Sequence, residues 1–296
     1  MFLFIVLVWG GNYLFVALGL HFASPLWLAF LRAGIGAGAA VGIVTARRSW
    51  GTLDAGGRRD ALLLGVPNTA LFFGLWFPAA RSVLPGLAAV LIYTFPLWVA
   101  LLSAPVLGHR LHRRHWIALA IGFSGVALIS QVWLVTSGSV PFLPLLALLG
   151  AAVSWATGTV LFQKRFHRSQ MLEANAYQVA GGAIALFAAT LILDPVPGPS
   201  LAPALWITAL WLGVLGTAVA YSLWFTLLGE TGAARLSAFV FLVPLVALGA
   251  SALLFGERLS AYQVVGVVLV LLGIYAIRST PEPTTEPGSG IPATPE

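Results

Sequence analysis

Apolar residues in this chain come in long unbroken runs, not in the half-apolar stripes of water-soluble helices. A helix that crosses a bilayer needs about 20 mostly apolar residues. Ten segments meet that length: roughly 2–20, 25–46, 61–80, 84–107, 115–134, 142–163, 172–193, 203–228, 232–255 and 261–278. Polar or helix-breaking stretches separate them: Ser24-Pro25, Arg47 to Asp60, Leu84-Pro85, His109 to His115, Thr136 to Pro141, Gln163 to Gln170, Asp194 to Ser200, Gly229 to Gly232 and Gly256 to Ser260. The pattern predicts an all-α membrane protein with ten transmembrane helices. The N-terminal MFLFIVLVWGG has neither a basic n-region nor a small-residue cleavage site, so it reads as the first membrane helix. After Arg278 the chain turns rich in Pro, Thr and Glu, and residues 279–296 are expected to form a disordered tail on the cytoplasmic side.

Composition closes off the soluble alternatives. Hydrophobic residues make up 59% and charged residues 8% of the 296, with a mean hydropathy of +0.97; a soluble domain carries about 25% charged residues. With no cysteine there are no disulfides or thiolate metal sites. The net charge of +6 comes from short clusters between apolar runs, which is what topology control produces and not a nucleic-acid surface. With the N-terminus inside, Arg47, Arg48, Arg58, Arg59, Arg110, Arg113, Arg114, Lys164, Arg165, Arg168, Arg235 and Arg278 all fall on the cytoplasmic side. Only Arg81 and Arg258 fall opposite. The positive-inside bias places both termini in the cytoplasm and the protein in the plasma (inner) membrane.

The chain also repeats itself. Residues 61–80 (ALLLGVPNTALFFGLWFPAA) align without gaps to 209–228 (ALWLGVLGTAVAYSLWFTLL), an offset of 148, with ten of twenty positions identical. The same offset lays 96–111 on 244–259 and Gly125 on Gly273. Two matches at one offset indicate a duplication, giving a first repeat over 1–134 and a second over 141–278. Five helices per repeat is an odd number, so the second repeat enters the membrane from the other side. Inverted repeats around a central cavity are the architecture of secondary transporters, whose halves exchange conformation about a midplane site. Because one chain supplies both halves, a monomer suffices, while Gly34, Gly36 and Gly38 leave a homodimer open.

WGGNYLF (9–15), Pro25 followed by LAFLRAG (28–34), the helix ends LGHRL (107–111) and FGERL (255–259), and the Gly-punctuated last helix VVGVVLVLLGIYAI make nearly all of residues 1–278 resemble the EamA type of the drug/metabolite transporter superfamily. His109 stands where the first-half motif usually carries Glu, a departure that bears on loop packing. The resemblance implies a ten-helix basket with a central cavity and export of amino acids or other small metabolites. Flipping of lipid-linked sugars and broad-specificity drug export are alternatives on the same fold. The small multidrug-resistance relatives carry a carboxylate in their first helix, where this chain reads GGNYLFVALG. No Asp or Glu lies deep in a predicted span, which argues against proton-driven exchange of organic cations.

Polar and aromatic residues at membrane depth nominate a small-molecule site. Asn68, Phe72 and Trp76 share a helical i, i+4, i+8 face. Thr217, Tyr221 and Trp224 form a second stripe. Trp9 and Asn12, beside Tyr13, form a third, and Trp155 and Tyr93 complete an aromatic box with amide and hydroxyl groups, suited to a neutral, zwitterionic or amphipathic ligand. The competing reading makes them interhelical packing and hydrogen-bonding residues. Trp27, Trp50, Trp116, Trp133 and Trp206 lie near helix ends, as an aromatic belt requires. Arg32, the one charge well inside a span, is assigned a structural or gating role. No metal or cofactor site is expected: the five histidines sit in loops or at helix ends, and no GxSxG, HExxH or Walker-type sequence supports an enzyme. Beyond the substrate, membrane lipids are the expected partners.

Overall fold

The computed structural model describes residues 1–83, 88, 91–110, 112–130, 142–194, 200–246, 260–278 and 284–285. These are helical almost throughout, the exception being a two-residue antiparallel pairing of His109–Arg110 with Thr284–Thr285. The helices are α1 (Phe2–Gly19), α2 (Pro25–Ala46), α3 (Ala55–Ala79), α4 (Phe95–Leu107), α5 (Arg113–Ser130), α6 (Phe142–Arg165), α7 (Met171–Leu193), α8 (Pro203–Thr231), α9 (Ala233–Val246) and α10 (Ala261–Arg278). Among the described residues, α1, α2, α3, α6, α8 and α7 with its preceding turn are long and apolar enough to cross a membrane; α4, α9 and α10 are shorter apolar helices. Leu3, Leu7, Ile184, Ile192, Leu272 and Tyr275 are exposed on the outside, an arrangement that lipid tolerates and water does not.

Sequence chemistry accounts for the helix ends. Pro25 opens α2 with its pre-set φ, and Gly108 closes α4 at φ 70°, in the left-handed region. α3 begins at Ala55, six residues before the expected start at 61. Asp54 accepts a 2.7 Å hydrogen bond from the Gly57 N–H and so caps the helix inside the polar stretch. Arg58, Arg59 and Asp60 then project from its first turns, and Asp60 pairs with Arg165 at 2.5 Å. Parts of the expected spans, at 84–87, 89–90, 131–134 and 247–255, together with the FGERL motif, Trp133 and nearly all of the tail, lie outside the described residues.

The packing is reciprocal at the repeat offset. α2 packs on α8 and its equivalent α7 on α3; α1 packs on α8 and its equivalent α6 on α3; α2 meets α7, and α5 meets α10. Each of these pairs joins one half to the other, so neither half forms its core alone. Small residues permit the closest approaches. A Cβ on Gly65 would overlap the Gln178 carbonyl and the Gly182 nitrogen, so α3 and α7 touch backbone to backbone. Gly125, Gly266 and Gly273 do the same between α5 and α10, whereas a Cβ on Gly122 would meet the Phe241 ring of α9. Gly36 is spent within the fold, against Thr217 and the Gly213 carbonyl, whereas Gly38 has open space beside it.

Both α3 and α8 contain a π-helical stretch, Val66–Leu71 and Trp211–Val219. Shifting the first by 148 gives 214–219, inside the second, so the distortion is part of the repeat. In α3, Pro67 removes a backbone donor. In α8 the Thr217 hydroxyl donates to the Leu212 carbonyl five residues back, over 3.0 Å. Such stretches re-aim side chains and recur at functional sites.

Candidate functional site

A cavity sits where the halves meet. It is lined by Trp9, Asn12 and Tyr13 of α1, Arg32 of α2, Phe72 and Trp76 of α3, Ile92, Tyr93 and Phe95 around the start of α4, Trp155 of α6, Tyr221 of α8 and Val240 of α9. The rings brace one another: Trp155 lies 4.9 Å from Tyr221 and 5.1 Å from Phe72, centroid to centroid, and Trp76 lies 5.4 Å from Tyr13. Tilted and edge-on arrangements of this kind lock the side chains through their quadrupoles. About 40 Å³ is open to the centre of a water molecule. One water needs about 10–15 Å³ on that measure, so this conformation has room for a few waters and no more.

Arg32 is the charged group of the cavity, 1% exposed. Its Nε donates to Thr217 Oγ1 at 3.0 Å and its Nη2 to the Gly216 carbonyl at 3.3 Å. Trp9 Nε1 donates to the same carbonyl at 3.2 Å. The Asn12 amide fits with Oδ1 facing Arg32 Nη2 at 3.3 Å and Nδ2 facing the Val8 carbonyl at 3.2 Å. The guanidinium carbon lies 4.1 Å from the Phe73 ring centroid, a cation–π contact in a desolvated place. Arg32 therefore ties α2 to α8 from inside the cavity wall. The described acids, Asp54, Asp60, Glu173, Asp194 and Glu230, all lie at helix ends, so among the described residues no carboxylate faces it. No group of His, Asp or Glu among the described residues is arranged to hold a metal.

Of the residues nominated from the sequence, Trp9, Asn12, Phe72, Trp76, Tyr93, Trp155 and Tyr221 come together in this lining, with Arg32. Asn68, Thr217 and Trp224 stand behind it. Asn68 lies within the π stretch of α3 and turns onto Gly158 of α6, where both of its amide atoms are buried without a partner. Thr217 sits beneath Arg32, and Trp224 is wholly buried behind Trp9, 5.3 Å between ring centroids. Tyr13 joins the lining from the α1 cluster. Ile92, Phe95 and Val240 complete it and had no signal of their own, since aliphatic and phenyl side chains are the background of this sequence.

A second polar constellation lies at the α2–α3 turn. Glu173, at the start of α7 and fully buried, accepts from the Thr52 N–H at 2.6 Å, the Thr52 hydroxyl at 2.7 Å and the Leu53 N–H at 3.1 Å, with Arg58 at 3.6 Å. All three bonds fall on Oε2, while Oε1 is buried without a hydrogen-bond partner among the described residues and has only the Arg58 charge nearby; through Oε2 the carboxylate fastens a loop of one half to a helix of the other. The place of Glu173 at a helix start in the sequence gives no sign of this burial.

Comparison with known proteins agrees with this architecture. The chain is 31% identical to a probable amino-acid metabolite efflux pump of Escherichia coli over 284 residues, covering 92% of each chain. It is 27% identical to an uncharacterized transporter of Bacillus subtilis, covering 93% of this chain and 90% of that one. A crystal structure superposes with a TM-score of 0.76 at 18% identity, covering 92% of this chain and 94% of that one, a likeness of fold alone. The pattern of the EamA-like transporter family matches twice, over residues 1–131 and 142–279. The chain is thus an integral membrane protein of helical two-repeat build that moves a small molecule and is not an enzyme, and it belongs to the EamA-like transporter family.

Proposed function

We propose that the protein exports small metabolites, amino acids foremost, by alternating access about the aromatic cavity. Ten helices cross the inner membrane as two inverted five-helix units, 1–134 and 141–278, with both termini cytoplasmic. Trp9, Asn12, Phe72, Trp76, Tyr93, Trp155 and Tyr221 contact the substrate, while Asn68, Thr217 and Trp224 hold that wall from behind. Arg32 acts as a gating tie between α2 and α8. The observation that carries this reading is the position of the cavity: its lining comes from both halves, so any rocking of one half against the other opens or closes it. The reciprocal packing of α2 on α8 and α7 on α3 supplies the two matched interfaces such rocking needs. The efflux activity in the Escherichia coli relative's name points the same way.

The test is flux. Purified protein in liposomes, offered labelled amino acids and small metabolites with and without a pH gradient, is expected to move one class saturably. With no acid among the described residues lining the cavity, that movement is expected to be insensitive to the gradient. Failure to move any of them while the protein stays folded would overturn metabolite export.

A further inference from the structure

The cavity holds two buried donors that nothing among the described residues satisfies. Arg32 Nη1 and Tyr221 Oη are both shielded from solvent and without a hydrogen-bond partner, and both residues line the same space. The other guanidinium nitrogens are taken by Thr217 and Gly216, so Nη1 is the spare arm of a fork already fixed in direction. Arginine does not give up its charge in proteins, and charges at membrane depth are matched by partners. Here the rings of Phe73, Trp76 and Phe77 share the cation's surroundings, and no carboxylate of the described chain does. Aromatic faces, the Gly216 carbonyl, the Asn12 amide oxygen and the Thr217 hydroxyl offset part of the charge; they offer no anion for the free N–H.

Resting on the export reading above, we propose that the missing partner is the substrate: Arg32 Nη1, assisted by Tyr221 Oη, receives a carboxylate group, so the cavity selects small carboxylate-bearing metabolites over their carboxamides. The arrangement suits a ligand with an acid at one end and an apolar body among Trp9, Phe72, Trp76 and Trp155. A planar carboxylate matches the guanidinium fork, whereas a carboxamide presents one acceptor and no charge. Because Arg32 also bonds Thr217 and Gly216 of α8, an arriving carboxylate draws on the same group that ties the halves together. Substrate chemistry is thereby linked to opening.

The experiment uses the full chain in detergent and in liposomes. Binding of L-leucine, L-phenylalanine and their carboxamides is read from the intrinsic fluorescence of the cavity tryptophans, beside flux of the labelled acids. The acids are expected to bind about tenfold to a hundredfold more tightly than the amides, the range for a hydrogen bond to a charged group. Arg32→Gln is expected to bring acid and amide within about twofold of each other, and Arg32→Lys to keep part of the difference through its charge. Should R32Q not fold, the acid–amide ratio on the unaltered protein still decides. Equal binding of acid and amide, with the acid transported, overturns the carboxylate anchor and leaves export standing. Neither flux nor binding of any acid overturns export and the anchor together.

Discussion

The Nε of Arg32 reaches 3.0 Å to the hydroxyl of Thr217, 185 positions away, and this bond joins α2 of one half to the π stretch of α8 in the other. Thr217 passes the interaction on, donating its own proton to the Leu212 carbonyl. Removing the hydroxyl thus leaves both a buried cation and a backbone acceptor short of a partner. Thr217→Val is expected to cost about 1–3 kcal/mol, the range for unpairing a buried group bonded to a charge, and Thr217→Ser to restore most of it. Thermal unfolding in detergent measures both. Its repeat equivalent Thr69, which donates to Gln178 Oε1 at 3.3 Å without any charge, is expected to lose less as Thr69→Val.

Two aromatic residues one turn apart on α8 are expected to separate stability from transport. Trp224 is buried behind the wall, so Trp224→Ala opens a void among Trp9, Phe95 and Trp155. About 3–5 kcal/mol is the usual cost of such a truncation. Tyr221→Phe removes only an unpartnered hydroxyl and keeps the ring against Trp155. Its unfolding temperature is expected to stay level or rise, while the KM for a carboxylate substrate rises several-fold. A fall in stability with unchanged KM would return Tyr221 to a packing role.

Glu173→Ala is expected to release the α2–α3 turn. Three donors of Thr52 and Leu53 lose their acceptor at once, and Arg58 loses its partner. Limited trypsin digestion reads this directly at Arg47, Arg48 and Arg58, where cleavage is expected to accelerate several-fold relative to the unaltered protein. Glu173→Gln keeps one acceptor oxygen without the charge and is expected to fall between.

Glycine positions predict opposite outcomes for one chemical change. Gly65→Ala drives a methyl into the α7 backbone, which cannot move aside, so little folded protein is expected. Gly38→Ala meets open space in the interior of α2 and is expected to stabilise by about 0.5–1 kcal/mol, since alanine loses less conformational freedom in a helix. Yield after detergent extraction and unfolding temperature check the pair.

Some of this was readable from the residues in order. Long apolar runs with few charges can be stable only in lipid, and the 148-residue offset is a property of the string alone. Trp9, Phe72, Trp76 and Trp155 stood out because large aromatics beside amides are unusual against an aliphatic background. The helical period, however, holds only while each N–H bonds four residues back. In the π stretches of α3 and α8 it does not, and a single extra residue rotates the side chains by roughly 100°. That is why Asn68 turns to Gly158 and Thr217 to Arg32, off the cavity-lining face their spacing had assigned them. The depth of Glu173 was equally hidden, because its three donors come from a turn 120 or so residues upstream. Sequence alone determined the solvent, the duplication and the kinds of side chain available. Only the packing of α2 on α8 and α7 on α3 decided which of those side chains face the cavity, because burial against a distant helix, and not local periodicity, sets the register of a distorted one.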